Sequence, residues 1–210
     1  MRFEPLEHLQ LIAGIIGFCA YIPLTIGILR NTARQSFAAF FLWGLLDSIA
    51  MVSAILIQGN FWLAASNVVG TFLIAALLIL KKQNEWSRTE TLTCVMVAAC
   101  LIIWYNAGHT VALMASSVAV VIAGIPQMAH TRRNRHDTPV GVYGIWLVAN
   151  VLSLVAGKHW TIDERFYAAC GIVLCLSILC IAFIPIPQHK SANPEGVGRN
   201  FFFKKWPSKR

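Results

Sequence analysis

The chain has 210 residues, of which 57% are hydrophobic and 12% charged, and it carries a formal net charge of +8. Its mean hydropathy is +0.65. Soluble domains carry about 25% charged residues, so this composition excludes an ordinary water-soluble globular protein and predicts an integral membrane protein.

Seven apolar runs approach the ~20 residues that cross a ~30 Å hydrocarbon core. They predict an all-α membrane protein with seven transmembrane helices at about 8–29, 36–57, 61–80, 90–106, 109–130, 138–157 and 163–184. A β-barrel is excluded because none of the runs alternates in polarity over ~10 residues. The first run holds Ile22-Pro23 and exits through Arg30-Asn31. It is too long for a signal-peptide core and lacks a small-residue cleavage site, so it is expected to remain as an uncleaved anchor. The second run carries Trp43 and Asp47, and the third carries Asn67 and Gly70. The fourth is a plain apolar segment. The fifth holds Ile125-Pro126-Gln127 and exits through Arg132-Arg133-Asn134, and the sixth carries Trp146 and Asn150. The seventh has no buried lysine, which excludes a retinal Schiff base.

Orientation follows from lysine and arginine, which favour the cytoplasmic side. Arg2, Lys158 and Arg165 lie on the side of the N-terminus, against fourteen basic residues on the other side, six of them in the tail. The N-terminus is therefore expected outside and the C-terminus in the cytoplasm, with a bacterial inner membrane favoured. The same bias accounts for the net charge, so no nucleic-acid partner is implied. The tail, 185–210, ends in "FFFKKWPSKR". It is expected to be disordered, and its mixture of aromatic and basic residues suits contact with anionic lipid. The six cysteines all fall inside expected spans without metal-ligand spacing and are expected to be small packing residues. No metal or cofactor is expected, and a homo-oligomer remains open.

An internal repeat organises these segments. Residue n set beside residue n+103 pairs Ile22 with Ile125, Pro23 with Pro126, Arg30 with Arg133, Asn31 with Asn134, Trp43 with Trp146, and Asp47 with Asn150. With a small shift, "GNFW" at 59 matches "GKHW" at 157 and Gly70 falls near Gly171. The expected organisation is a first three-helix repeat (1–80), a linker helix (81–108), a second three-helix repeat (109–184) and the tail. Three is an odd number, so one extra helix is what lets both copies run the same way, as parallel repeats about an axis along the membrane normal.

"GIPQ" before a basic loop, in a 3+1+3 chain with its N-terminus outside, resembles the PQ-loop superfamily. That group includes the SWEET sugar transporters, lysosomal amino-acid exporters and the KDEL receptor. "SNVVG" at 66–70 is similar to the Asn-x-x-Gly stretch of SWEETs, which implies a substrate contact at Asn67. The first copy departs from the motif, because Leu24 follows Pro23. Ala168 stands where a second asparagine would fall, and helix 2 lacks the proline that SWEETs carry. The 3+1+3 plan is also similar to the nicotinamide riboside transporters.

The residues themselves point to a carrier. A proline inside a span removes a backbone donor and kinks the helix. Pro23 and Pro126, at equivalent depth, are expected to be hinges, with Gln127 as a local partner for the freed carbonyl. Asp47 is the single ionisable residue deep in a span. Such groups face a cavity or a partner, and this carboxyl group can carry a proton or pair with a cation. Trp43 lies one turn before it, and Trp146 and Asn150 repeat that spacing. The expected pocket comprises Trp43, Asp47, Asn67, Trp146 and Asn150, and it suits a small polar solute such as a sugar or an amino-acid-like metabolite. The alternative is that the tryptophans face lipid and Asp47 is tied to a neighbouring helix. The function expected is alternating-access transport, with proton coupling through Asp47 an open option. A receptor or sorting protein of the same fold is the alternative. No nucleophile–base or paired-carboxylate spacing suggests an enzyme.

Overall fold

The computed structural model describes residues 5–83, 86, 88–104 and 108–184. The tail therefore lies outside the described residues. Among these, the chain is helical with no strand: α1 (Pro5–Cys19), α2 (Tyr21–Leu29), α3 (Phe37–Leu56), α4 (Trp62–Leu80), α5 (Arg88–Trp104), α6 (Gly108–Ala123), α7 (Ile125–Arg133), a short 3-10 turn (Arg135–Asp137), α8 (Val140–Val155) and α9 (Ile162–Phe183). Five helical segments are long and apolar enough to cross a membrane: Leu6–Leu29, Phe37–Leu56, Trp62–Leu80, Gly108–Arg133 and Glu164–Phe183. The sixth expected span is represented by the 16-residue α8, shorter than the 138–157 read from the sequence. Pro139 sets its start, since proline cannot supply the backbone donor of a longer helix.

Two of the long segments are broken where the sequence places its prolines. α1 gives way to α2 at Ala20, three residues before Pro23, and α6 gives way to α7 at Gly124, two residues before Pro126. Three helices end in one device. After α2, α3 and α4 the chain turns through Asn31, Gln58 and Lys82, all at φ near +55°. Each turn returns two backbone N–H groups to the last helical carbonyls, for example Gly59 to Ala54 at 2.8 Å and Gln58 to Ile55 at 3.1 Å. This is the Schellman arrangement. It pairs carbonyls that a lipid environment would leave unsatisfied, and it tolerates a non-glycine residue in the left-handed region at a cost of about 1–2 kcal/mol.

The packing follows the 103-residue offset. α3 packs on α4, as α8 packs on α9. α1 packs on α4, as α6 packs on α9. Across the two halves α3 packs on α6, as α8 packs on α1. α5 has no counterpart and leans mainly on α6. The main core runs along the seam between the halves, through Leu24, Ile28, Phe40, Trp43, Leu46, Ile74, Ala119, Tyr143, Trp146 and Ile178. The outward faces are apolar, with Ile15, Ile22, Val52, Ile55, Val69, Leu73, Val148 and Val173 all exposed. A belt of this kind marks a surface that meets another apolar phase, as in a multi-pass membrane protein.

Candidate functional site

All five residues expected to bind substrate line one small central cavity, of about 50 Å³, between the halves. Trp43 and Asp47 come from α3, Asn67 from α4, and Trp146 and Asn150 from α8. The tryptophans do not face lipid: Trp43 is 5% exposed and Trp146 7%. Asp47 is 2% exposed and accepts a hydrogen bond from the Tyr167 hydroxyl of α9 at 2.8 Å. It thus faces a cavity and is tied to a neighbouring helix at once.

That bond ends a polar chain with a single direction. Tyr21 O–H donates to Asn67 Oδ1 at 3.2 Å. Asn67 Nδ2 donates to the Tyr167 oxygen at 2.9 Å, and Tyr167 donates to Asp47. Every donor points toward the carboxyl group, so each bond polarises the next. The chain crosses the seam twice, from α2 and α4 to α9 and back to α3. Asn150, the counterpart of Asp47, lines the cavity without joining this chain: its Nδ2 donates to the Trp146 carbonyl at 2.8 Å. The site therefore offers one acid from one half, and no lysine, arginine or histidine lines it among the described residues.

Two glycines make room for these groups. A Cβ on Gly70 would strike the ring of Tyr21, and one on Gly171 would strike the Asn150 amide. These are the glycines that the repeat aligns, and each lets a cavity-facing side chain lie against the third helix of a half. Aromatic rings form much of the wall, beside Thr71, Ser117, Val120, Leu174 and Cys175. Tyr21 meets Trp146 edge-on at 4.9 Å, Tyr143 meets Trp146 at 5.3 Å, and Phe40 meets Trp43 at 5.0 Å. Each such pair is worth about 0.5–1.5 kcal/mol beyond its buried area, so the rings hold one another in place around the cavity.

The indole groups are bound across the seam. Trp43 Nε1 donates to the Val120 carbonyl of α6 at 2.9 Å, and Trp146 Nε1 donates to the Gly17 carbonyl of α1 at 3.0 Å. Both acceptors lie six residues before a proline, in the turn that precedes a helix break. Pro126 is buried, whereas Pro23 is exposed. Gln127 does not serve the local carbonyl. Its Oε1 accepts the backbone N–H of Ser36 at 2.9 Å, and its Nε2 reaches Thr131 Oγ1 at 3.4 Å. The side chain is fully buried against the start of α3.

Hydrogen bonds also join the halves toward both ends of the molecule. Toward the α2–α3 loop, Ser36 meets Gln127, and Tyr143 O–H donates to Gln35 Oε1 at 2.7 Å. Toward the α3–α4 loop, Asn60 Nδ2 donates to Ser153 Oγ at 3.0 Å, Gln10 Nε2 donates to the Ala156 carbonyl at 3.0 Å, and Lys158 pairs with Glu7 at 2.5 Å. Arg165 caps the end of α8 through the carbonyls of Leu154 and Gly157 and stacks on Trp160.

Sequence reasoning missed Tyr21, Tyr143 and Tyr167, which complete the site. The signal for Tyr167 was its place one turn before Gly171, beside the position where an asparagine was sought. No family model, no curated protein and no solved structure matches this chain.

Proposed function

We propose that the chain is a membrane carrier for a small polar solute, neutral or amine-bearing, working by alternating access between two three-helix repeats in a seven-helix 3+1+3 fold of the PQ-loop type. The observation that carries this reading is the central cavity: both halves contribute to it, aromatic side chains form much of its wall, one carboxyl group lies in it, and hydrogen bonds join the halves toward each end. A receptor or sorting protein of the same fold would bind its ligand without moving it across the membrane, and the uptake measurement below separates the two.

The chemistry of the lining narrows the solute. A carboxyl group without a nearby cation disfavours anions. Aromatic faces hold a sugar ring by its C–H face or an ammonium group by its charge. At about 50 Å³ the cavity is far below the ~300–1,000 Å³ of sites that enclose drug-sized ligands. A solute enters only when one end opens, which breaks the bonds between the halves at that end. The breaks at Ala20 and Gly124 are where the helices bend to allow it. Proton coupling through Asp47 belongs to the same mechanism, because the acid is then free to be protonated on one side and deprotonated on the other. The test is thermal stabilisation of the purified full-length chain by neutral sugars, amino acids, amines and nucleosides, followed by uptake of any stabilising solute into proteoliposomes. Stabilisation by a solute that is lost in Trp146→Ala and accompanied by uptake supports a carrier. Stabilisation without uptake in either direction rejects it.

A further inference from the structure

A second and larger cavity, of about 550 Å³, opens at the end of the molecule that carries the α2–α3, α4–α5 and α7–α8 loops. It lies outside the central site. Arg34, Lys81, Lys82 and Arg133 line it, with Glu90 as the single carboxylate among the described residues. Arg34, Lys82 and Arg133 have no carboxylate within ion-pair distance among the described residues, and Lys81 Nζ donates to the Leu29 carbonyl at 2.9 Å. The side-chain oxygen of Gln83, buried at the same place, has no donor among the described residues. Like charges gathered in a concave site raise the local potential and concentrate anions. Several arginine and lysine side chains converging from separate elements are the usual means of holding phosphate oxygens. The volume falls within the range of ligand sites.

We infer that this cavity binds a phosphate-bearing anion, the phosphate between Arg34 of the first half and Arg133 of the second. A ligand held there bridges the two halves at one end only. The cavity reaches Ser36 and Pro126, beside the Gln127–Ser36 tie, so occupancy holds that end shut. The same chemistry is offered by a soluble phosphate monoester and by a glycerophospholipid headgroup.

The test uses the purified full-length protein and reads thermal stability and ligand retention, not transport, so its failure leaves the central-site reading standing. Glycerol phosphate is added in detergent at ionic strength matched with chloride. Separately, the protein is placed in nanodiscs of phosphatidylcholine with or without phosphatidylglycerol. Stabilisation by glycerol phosphate beyond chloride identifies a soluble ligand; stabilisation by phosphatidylglycerol alone identifies the headgroup; both support the site. The double variant Arg34→Gln/Arg133→Gln should weaken the effective ligand about tenfold or more. The charge-matched control Arg30→Gln/Arg132→Gln, on exposed residues that do not line the cavity, should not. If the cavity variant does not fold, Lys82→Gln, on an exposed side chain, takes its place with the same expectation. Equal stabilities in phosphate and chloride together with equal stabilities in the two nanodiscs, or equal weakening in cavity and control variants, overturns the inference.

Discussion

Gln127 accepts the backbone N–H of Ser36 at 2.9 Å, and this one bond explains why the repeat carries its glutamine in a single copy. The 103-residue offset places Pro139 opposite Ser36 and Leu24 opposite Gln127. Proline has no N–H to offer, so a glutamine at 24 would have nothing to accept there, and Leu24 is fully buried. Gln127→Leu should therefore cost about 1–3 kcal/mol by stranding a buried donor. Leu24→Gln should also destabilise, by burying an amide without a partner. Thermal unfolding of both variants checks this; a Gln127→Leu protein as stable as the parent would show that the tie is idle.

Asp47→Asn keeps an oxygen for Tyr167 to donate to, and among the described residues it removes the only carboxyl group lining the cavity. The fold should survive and the pH dependence of uptake should disappear. Tyr167→Phe removes the donor at Asp47 and the acceptor at Asn67, so it should shift the pH profile of uptake rather than abolish it. A wild-type pH profile retained in Asp47→Asn would exclude proton coupling through this residue.

The centre of the site was legible because its residues are rare in apolar sequence. Tryptophan, aspartate and asparagine recurring at one offset do not match by chance as leucine and valine do, and the structure places Trp43, Asp47, Trp146 and Asn150 on one cavity. The tyrosines were not legible. In an apolar run a tyrosine reads as one more ring, and only the fold shows that the Tyr21 and Tyr167 hydroxyls meet Asn67 from opposite halves. Gln127 was assigned to its own helix because sequence spacing exposes local partners, whereas its acceptor role lies 91 residues away.

Pro126→Ala restores a backbone donor and straightens the α6–α7 break. Uptake should fall while solute binding at equilibrium changes little. Trp146→Ala removes pocket wall, and loss of a stacking face worth about 1–3 kcal/mol weakens binding roughly 5- to 150-fold. Trp146→Phe, which keeps an aromatic face but loses the bond to Gly17, should fall between them. Parallel loss of binding and transport in Pro126→Ala and Trp146→Ala would mean that the proline only shapes the pocket.

Sidedness can be read by chemical labelling. Asn60 is a poor probe position because it is buried and bonded to Ser153. Trp160 is 89% exposed, and Arg132 is exposed at the other end. In intact cells an impermeant thiol reagent should label Trp160→Cys and spare Arg132→Cys. The reverse pattern would invert the orientation inferred from the basic loops.

The crossed indole bonds bear on how the chain is assembled. Val120 and Gly17 are as far apart in sequence as Trp43 and Trp146, so neither half contains the acceptor for its own tryptophan. During synthesis the first half enters the bilayer before α6 has been made, with the Trp43 N–H unanswered, and Gly17 waits longer still for α8. The Trp43 donor and the Gly17 acceptor of the early half thus stay unpaired until the second half is in place. Closure belongs to the last stage of biogenesis, and a chain halted between the halves has the means to pair with another copy of itself.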